Sequence, residues 1–491
     1  MSGLTLNGGV TFVNTPQSSG RFEAPQKFQN YQPRFGAAYQ VTPKIVARGG
    51  FGLVYFNTQD SPASQAAGYS NSTSYVATTN SVYPFTSVAT PWPSGVQLPS
   101  GSSLGLSTQL GQGVTAPDPN GVQPKMWQWS TNLQMQLPGQ IALQIGYAAN
   151  KVSELPINAN IDPLPATFMG TSAAPLSSTQ IGALTASVAN PMAGKLPGSS
   201  LNGATVQQYL LDVPFPEFTS VTDQYIPRGS ALYNALQISA NKQMSHNFEI
   251  QGNLTYSKIM DQNIFLNPQS QTPFRYQDPQ PNILSNFWGT YHFSALNDKP
   301  LGVREVLGGW KLQGVLRADN ATLIANPGSV GNSGGNTGGS QYGTSQTYTQ
   351  LANPKASYRS YTRYFNTCYE NSSGALVYTT VSASGAIVPG CDSTNNNVPA
   401  FKANPTFTLN NIGPYMNVRE LVHPLMDVSL FKTFSIHEST TFEIRGEAFN
   451  VLNTPNFGGP GTTPGSSSYG YVTLTQANDP RLLQLTARIN F

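Results

Sequence analysis

Side chains able to do chemistry are few and scattered in this sequence. Glu443, Arg445 and Glu447 lie two residues apart, so on a strand they share one face. Two carboxylates bracketing an arginine suit acid–base catalysis, but they equally suit a charge ladder in a watery lumen, neutralised by neighbouring strands, and that is the reading taken. His246, His292, His423 and His437 show no metal-binding spacing, and there is no nucleophile elbow, phosphate loop or CxxC pair. The glycine-rich run Gly331 to Gly343 lacks the lysine and following helix of a phosphate cradle and reads as flexible loop. No enzyme, catalytic residue, metal or cofactor is predicted. The two cysteines, Cys368 and Cys391, fall in one long segment. In an oxidising compartment they are expected to form a disulfide, with a pair of unpaired thiols as the alternative.

Composition explains the poverty of chemistry. Only 10% of the 491 residues are charged, 38% are hydrophobic, and roughly a third are Ser, Thr, Asn or Gln. Helical cytosolic proteins need far more Glu, Lys and Ala than this, so the elements expected are strands and turns. Aromatic content of 11% argues against disorder, and a net charge of +3 provides no field for nucleic acid. No run of apolar residues is long enough for a transmembrane helix. The first residues do not read as a signal peptide, so an exported protein would have a longer precursor.

The positioning elements show themselves by period-2 alternation, in twelve segments. They run Leu4 to Phe12, Phe35 to Val41, Ala47 to Tyr55, Trp127 to Leu137, Ile141 to Tyr147, Leu236 to Ala240 and Phe248 to Tyr256. The rest are Phe287 to Ala295, Trp310 to Leu316, Met426 to Phe434, Phe442 to Ala448 and Leu483 to Phe491. Pro138-Gly139 turns the fourth into the fifth as a hairpin whose arms have the length of tilted membrane strands. Short and long connections alternate, the long ones covering 14 to 32, 57 to 125, 150 to 232, 258 to 284, 319 to 424 and 452 to 481. The longest short one is Leu296 to Gly308, and each long one exceeds it. That asymmetry is normal for a barrel with periplasmic turns and extracellular loops.

Charge follows the same division. On the apolar parity the charges are Lys242, Lys258 and Lys432, near strand ends where a lysine can snorkel to the interface. On the polar parity stand Arg34, Arg48, Glu249, Lys311, Arg317, Asp427, Glu443, Arg445, Glu447 and Arg488. Aromatics are expected in two girdles: Phe12, Tyr55, Trp127, Tyr147, Tyr233, Tyr256 and Phe287 at the outer ends, and Tyr39, Phe248, Phe293, Trp310, Phe434, Phe442 and Phe491 at the inner ends.

The last residues, RLLQLTARINF, end an amphipathic strand on Phe491. With Leu483, Leu485 and Ile489 this resembles the assembly signal of outer-membrane barrels. FEIRGEAFNVLNTPNFG (Phe442 to Gly458), YQPRFGAAYQVTPKIVARGGFGLVYF (Tyr31 to Phe56), MWQWSTNLQMQLPGQIALQIGYAANK (Met126 to Lys151), LYNALQISANKQMSHNFEIQGNLTYSK (Leu232 to Lys258) and GGWKLQGVL (Gly308 to Leu316) are similar to the Oar-like group of TonB-dependent receptors. The resemblance implies a barrel of about 22 strands in full, preceded by a plug and often a carboxypeptidase-regulatory-like domain, neither of which is read here. Residues 1 to 491 are thus expected to be a partial barrel, the C-terminal portion of a receptor. The resemblance further implies outer-membrane lipid, the barrel-assembly machinery, the TonB complex and an unidentified ligand as partners. The fold expected is all-β: a transmembrane antiparallel up-and-down β-barrel in the bacterial outer membrane, about twelve strands of a larger one, with long extracellular loops. A passive twelve-strand channel and a surface adhesin are the alternatives.

Overall fold

The computed structural model describes residues 8–22, 30–56, 67–328 apart from 74, 94 and 197, and 347–491 apart from 356–358, 362–363, 378–379, 382–386, 389–397 and 438. Its main body is one antiparallel meander of eleven strands in chain order. These are β1 (Arg34–Thr42), β2 (Ile45–Tyr55), β3 (Lys125–Leu137), β4 (Ile141–Asn160), β5 (Ser220–Ser245), β6 (Phe248–Ile264), β7 (Ile283–His292), β8 (Lys311–Asp319), β9 (Leu425–His437), β10 (Thr440–Phe449) and β11 (Leu482–Asn490). Each pairs with the next, and among the described residues β1 and β11 are the two edges, not joined to one another.

The expected faces hold register across the whole meander. Leu133 lies opposite Ile145, Ile145 opposite Ile238, and Ile238 opposite Leu254. Farther along, Phe287 faces Leu316, Leu316 faces Met426, and Phe442 faces Ile489. A slip of one residue would send every apolar side chain to the wrong face, so continuous register is how the sequence fixes the wall. Turn chemistry agrees. Gly139 (φ 77°) and Gln140 (φ 60°) turn β3 into β4, and His246 (φ 53°) and Asn247 (φ 68°) form the two-residue loop after β5. Two consecutive left-handed residues match the twist of the strands they join.

Three expectations are corrected. Of the first segment, Leu4 to Asn7 lie outside the described residues and Gly8 to Phe12 are not strand, so among the described residues the wall has eleven strands and not twelve. Phe12 packs against Tyr69 at 6.0 Å between ring centroids instead of standing in the outer girdle. The lengths of the connections also alternate less cleanly: 265–282 on the long side equals 293–310 on the short side. The reason is that β4, β5 and β6, at 20, 26 and 17 residues, continue well past the outer aromatics into what alternation alone reads as loop. Register shifts near Glu154 (φ 60°), whose carboxylate pairs with Lys125 at 2.7 Å, mark where β4 and β5 leave the regular wall.

Most of the buried core lies in the long connections, and one cluster (Ile157, Ala159, Ile226 and Phe265) sits at the extended ends of β4, β5 and β6. Phe365, Phe401, Met416 and Tyr469 form one cluster, and Leu164, Leu184, Val213 and Phe407 form another. Hydrogen bonds knit the connections together: Gly170 N–H donates to Phe407 O at 2.8 Å, Asn410 N–H to the Asn267 side-chain Oδ1 at 2.7 Å, and Val472 N–H to Tyr361 O at 2.8 Å. They form a folded cap over one end of the meander. Apolar side chains of the wall stay exposed, Leu485 at 88% and Phe491 at 98%.

Candidate functional site

The polar face of the wall is the surface on which function can be built, and it divides into two sectors. From β3 to β7 it is largely a field of amides and hydroxyls, with Glu249 of β6 on the same parity. One row runs Gln134, Gln144, Ser239, Asn253 and Asn286 across five strands. The next runs Gln136, Ala142, Asn241, Gln251 and Trp288. Gln134 Nε2 donates to Gln144 Oε1 at 3.1 Å, and Trp288 Nε1 to Gln251 Oε1 at 3.2 Å.

From β8 to β11 the same face is charged. Arg445 Nε donates to Glu443 Oε1 at 3.1 Å, and its Nη1 lies 3.8 Å from Glu447 Oε1. Its guanidinium sits 4.3 Å from the Phe431 ring centroid, with Lys311 approaching the same ring at 5.8 Å. Arg488 stands opposite Glu443. The carboxylates are therefore held by the arginine between them, as a lumenal ladder requires. Neither is presented as a free acid or base.

Above this ladder, towards the cap, is a cavity of about 440 Å³ lined by Arg317, Asp427, Asn450, Asn478 and Asp479 with apolar Val315 and Phe449. Asp427 Oδ1 accepts from Asn450 N–H at 2.8 Å, and Asn450 donates on to Asp479 O at 3.0 Å. Sequence reading found Arg317 and Asp427 by parity but not Asn450, Asn478 or Asp479. These lie beyond the strand ends, where no period signals which way a residue faces.

The opposite face carries the apolar parity. Two aromatic pairs stand at its inner end: Tyr291 and Phe293 meet edge to face at 5.0 Å, and Phe434 and Phe442 lie 6.1 Å apart. Lys242 donates to Ser245 O at 3.0 Å and lies 4.0 Å over the Phe248 ring. Lys432 departs from the expectation of snorkelling to water. Its side chain is buried and its ammonium donates to backbone carbonyls of Arg304 and Glu305.

A family profile described as "Outer membrane beta barrel domain" matches residues 2–484. The chain belongs to that family. Its apolar wall therefore faces the lipid of the bacterial outer membrane, and its amide and charge rows face inward. No curated protein matches it. Among solved structures the barrel is similar to FpvA of Pseudomonas aeruginosa bound to heterologous pyoverdines, at 9% identity and TM-score 0.36. It is likewise similar to the outer membrane transporter YddB from Escherichia coli (8%, 0.37) and the siderophore receptor PirA from Acinetobacter baumannii (10%, 0.35). Each match covers 94% of this chain, which spans only 33%, 40% and 41% of those chains respectively.

The expected assembly residues Leu483, Leu485 and Ile489 share the apolar parity of the edge strand β11, Phe491 follows its last residue, and all four are exposed. Cys368 is buried at 3% beside the Tyr469 cluster, while its expected partner Cys391 lies outside the described residues, as does Gly331 to Gly343. Among the described residues no group of three or more metal-ligating side chains comes together. A feature that sequence reading missed is the buried carboxyl pair Asp162 and Glu217 within the cap. Nothing in composition or spacing signals it, because the two meet through the fold of the 161–219 connection.

Proposed function

We propose that this chain is the ligand-passing wall of a TonB-dependent outer-membrane receptor. A polar solute is captured by the folded cap and handed to the inward face, with energy supplied through TonB. The observation that carries the reading is the pairing of a polar inward face with a cap built on its own apolar clusters. A passive pore has no need of a cap with that much buried structure, whereas capture needs a surface that holds its shape. The Oar-like motifs support the same reading. No chemistry is assigned to the wall, since Glu443 and Glu447 are both tied to Arg445 and Arg488 stands opposite Glu443.

We further propose that the eleven strands are one arc of a larger barrel. Both edges are unpaired among the described residues, and lipid tolerates no open edge. Reconstituted alone in planar bilayers, the chain is expected to give no uniform, long-lived conductance step. A steady step of one size would favour the passive channel. In cells expressing the whole gene product, accumulation of its ligand should disappear on deletion of tonB while surface binding persists. Binding with no uptake in either strain would favour the adhesin.

The Cys368–Cys391 disulfide belongs to this proposal, as a tether of the cap. Closing a loop of this size restricts the unfolded chain by about 3 kcal/mol. Alkylation of the denatured, unreduced chain is expected to label neither cysteine, and two labels per chain would refute the tether.

A further inference from the structure

The connection from β7 to β8 contains a short helix, Leu301–Leu307, on the side of the membrane where the turns are short. Its location on the wall is fixed by two side chains of the lipid-facing parity. Trp310 Nε1 donates to Val306 O at 2.8 Å, and Lys432 Nζ donates to Arg304 O at 3.3 Å and to Glu305 O. Lys432 also lies 4.8 Å from the Phe434 ring centroid. The helix thus rests against the outside of the barrel at the inner aromatic girdle. A lysine there would otherwise bring an uncompensated charge to hydrocarbon, and the carbonyls at the end of a helix are the natural acceptors for it.

What the helix presents outward is apolar. Leu301 is 65% exposed, Val306 64% and Leu307 63%. Its charges cancel locally, Arg304 with Glu305 at 3.2 Å and Lys299 with Asp298 at 3.1 Å. The patch is continuous with the established lipid wall through Trp310, Leu312 and Leu430. We propose that the Leu301–Leu307 helix is an interfacial foot, seating Leu301, Val306 and Leu307 among the phospholipids of the periplasm-facing leaflet, with Lys432 and Trp310 clamping it to the wall. Apolar area with balanced charge binds by burial and does not require anionic headgroups. The inference rests on membership of the outer-membrane barrel family and stands whether or not the chain serves uptake.

The test places the photoreactive residue benzoylphenylalanine at Leu307 in the full chain, in the outer membrane of living cells, and reads adduct masses after illumination. The comparison positions are Leu430, on the lipid wall, and Gln313, on the inward face. The expected result is a phosphatidylethanolamine adduct at 307 comparable with that at 430 and about tenfold above that at 313. Adducts at 307 with another protein or a second copy of this chain, or no adduct while 430 reacts, would overturn the foot. An adduct at 430 also reports that the barrel is inserted, so a failure to fold is told apart from a negative result.

Discussion

Leu143→Arg is expected to destabilise the embedded barrel by about 2–4 kcal/mol, while Ala142→Arg, one residue away on the same strand, changes it by less than about 1 kcal/mol. Leu143 lies in β4 on the apolar parity, opposite Met135 on one side and Ala240 on the other. On β4 it stands between Ile141, next to the turn, and Tyr147 of the expected outer girdle, and the row it belongs to continues through Gly252 and Phe287. An arginine there faces hydrocarbon on the apolar side of the wall. Ala142 is exposed at the same depth but faces inward, between Gln136 and Asn241, where a guanidinium finds amide oxygens and water. Urea unfolding of the whole gene product in phosphatidylcholine vesicles, followed by tryptophan fluorescence, measures both variants. Equal losses, or a larger loss at 142, would mean that the two faces have been assigned the wrong way round.

That contrast also shows why so much of the wall could be read before any coordinates. A lipid-facing strand needs only its own alternation to be recognised, because its partner on one side is hydrocarbon, the same for every residue. Ile141, Leu143 and Ile145 announce their face locally, and the turn at Gly139 and Gln140 fixes the register of the next strand. The cap is different. Phe407 meets Leu164 and Val213, and Phe365 meets Tyr469, across separations that no local period encodes. Lys432 was legible as an exception to the apolar parity, but its partners were not, since they are backbone carbonyls of a helix far away in sequence. The first predicted strand failed where alternation was carried by Gly8 and Gly9, which have no side chain to place on either face.

The second large effect concerns the cap and pH. Asp162 is fully buried; its Oδ1 accepts from Phe215 N–H at 2.8 Å, and its Oδ2 is buried without a partner. Burial pushes its carboxyl up to about 7, and the nearby Glu217 carboxylate adds to the effect against the Phe215 hydrogen bond. A group whose folded pKa is raised takes up its proton in the native state before the unfolded chain does. Stability of the cap therefore falls as pH rises from about 4, the ordinary aspartate value, through about 7, and is level above that. Such a shift corresponds to about 4 kcal/mol between the ends of the window. Asp162→Asn keeps the acceptor for Phe215, removes the charge, and replaces the orphan oxygen with a donor suited to Glu217. The variant cap is expected to be more stable than the native one at pH 8 by an amount approaching that figure, and to differ little from it below pH 4.5. Pulse proteolysis of the 161–219 connection in detergent-solubilised chain reads this out against pH. A native cap whose resistance does not fall between pH 5 and pH 8, or an Asp162→Asn variant that follows the same falling curve, would show that Asp162 does not carry the pH dependence.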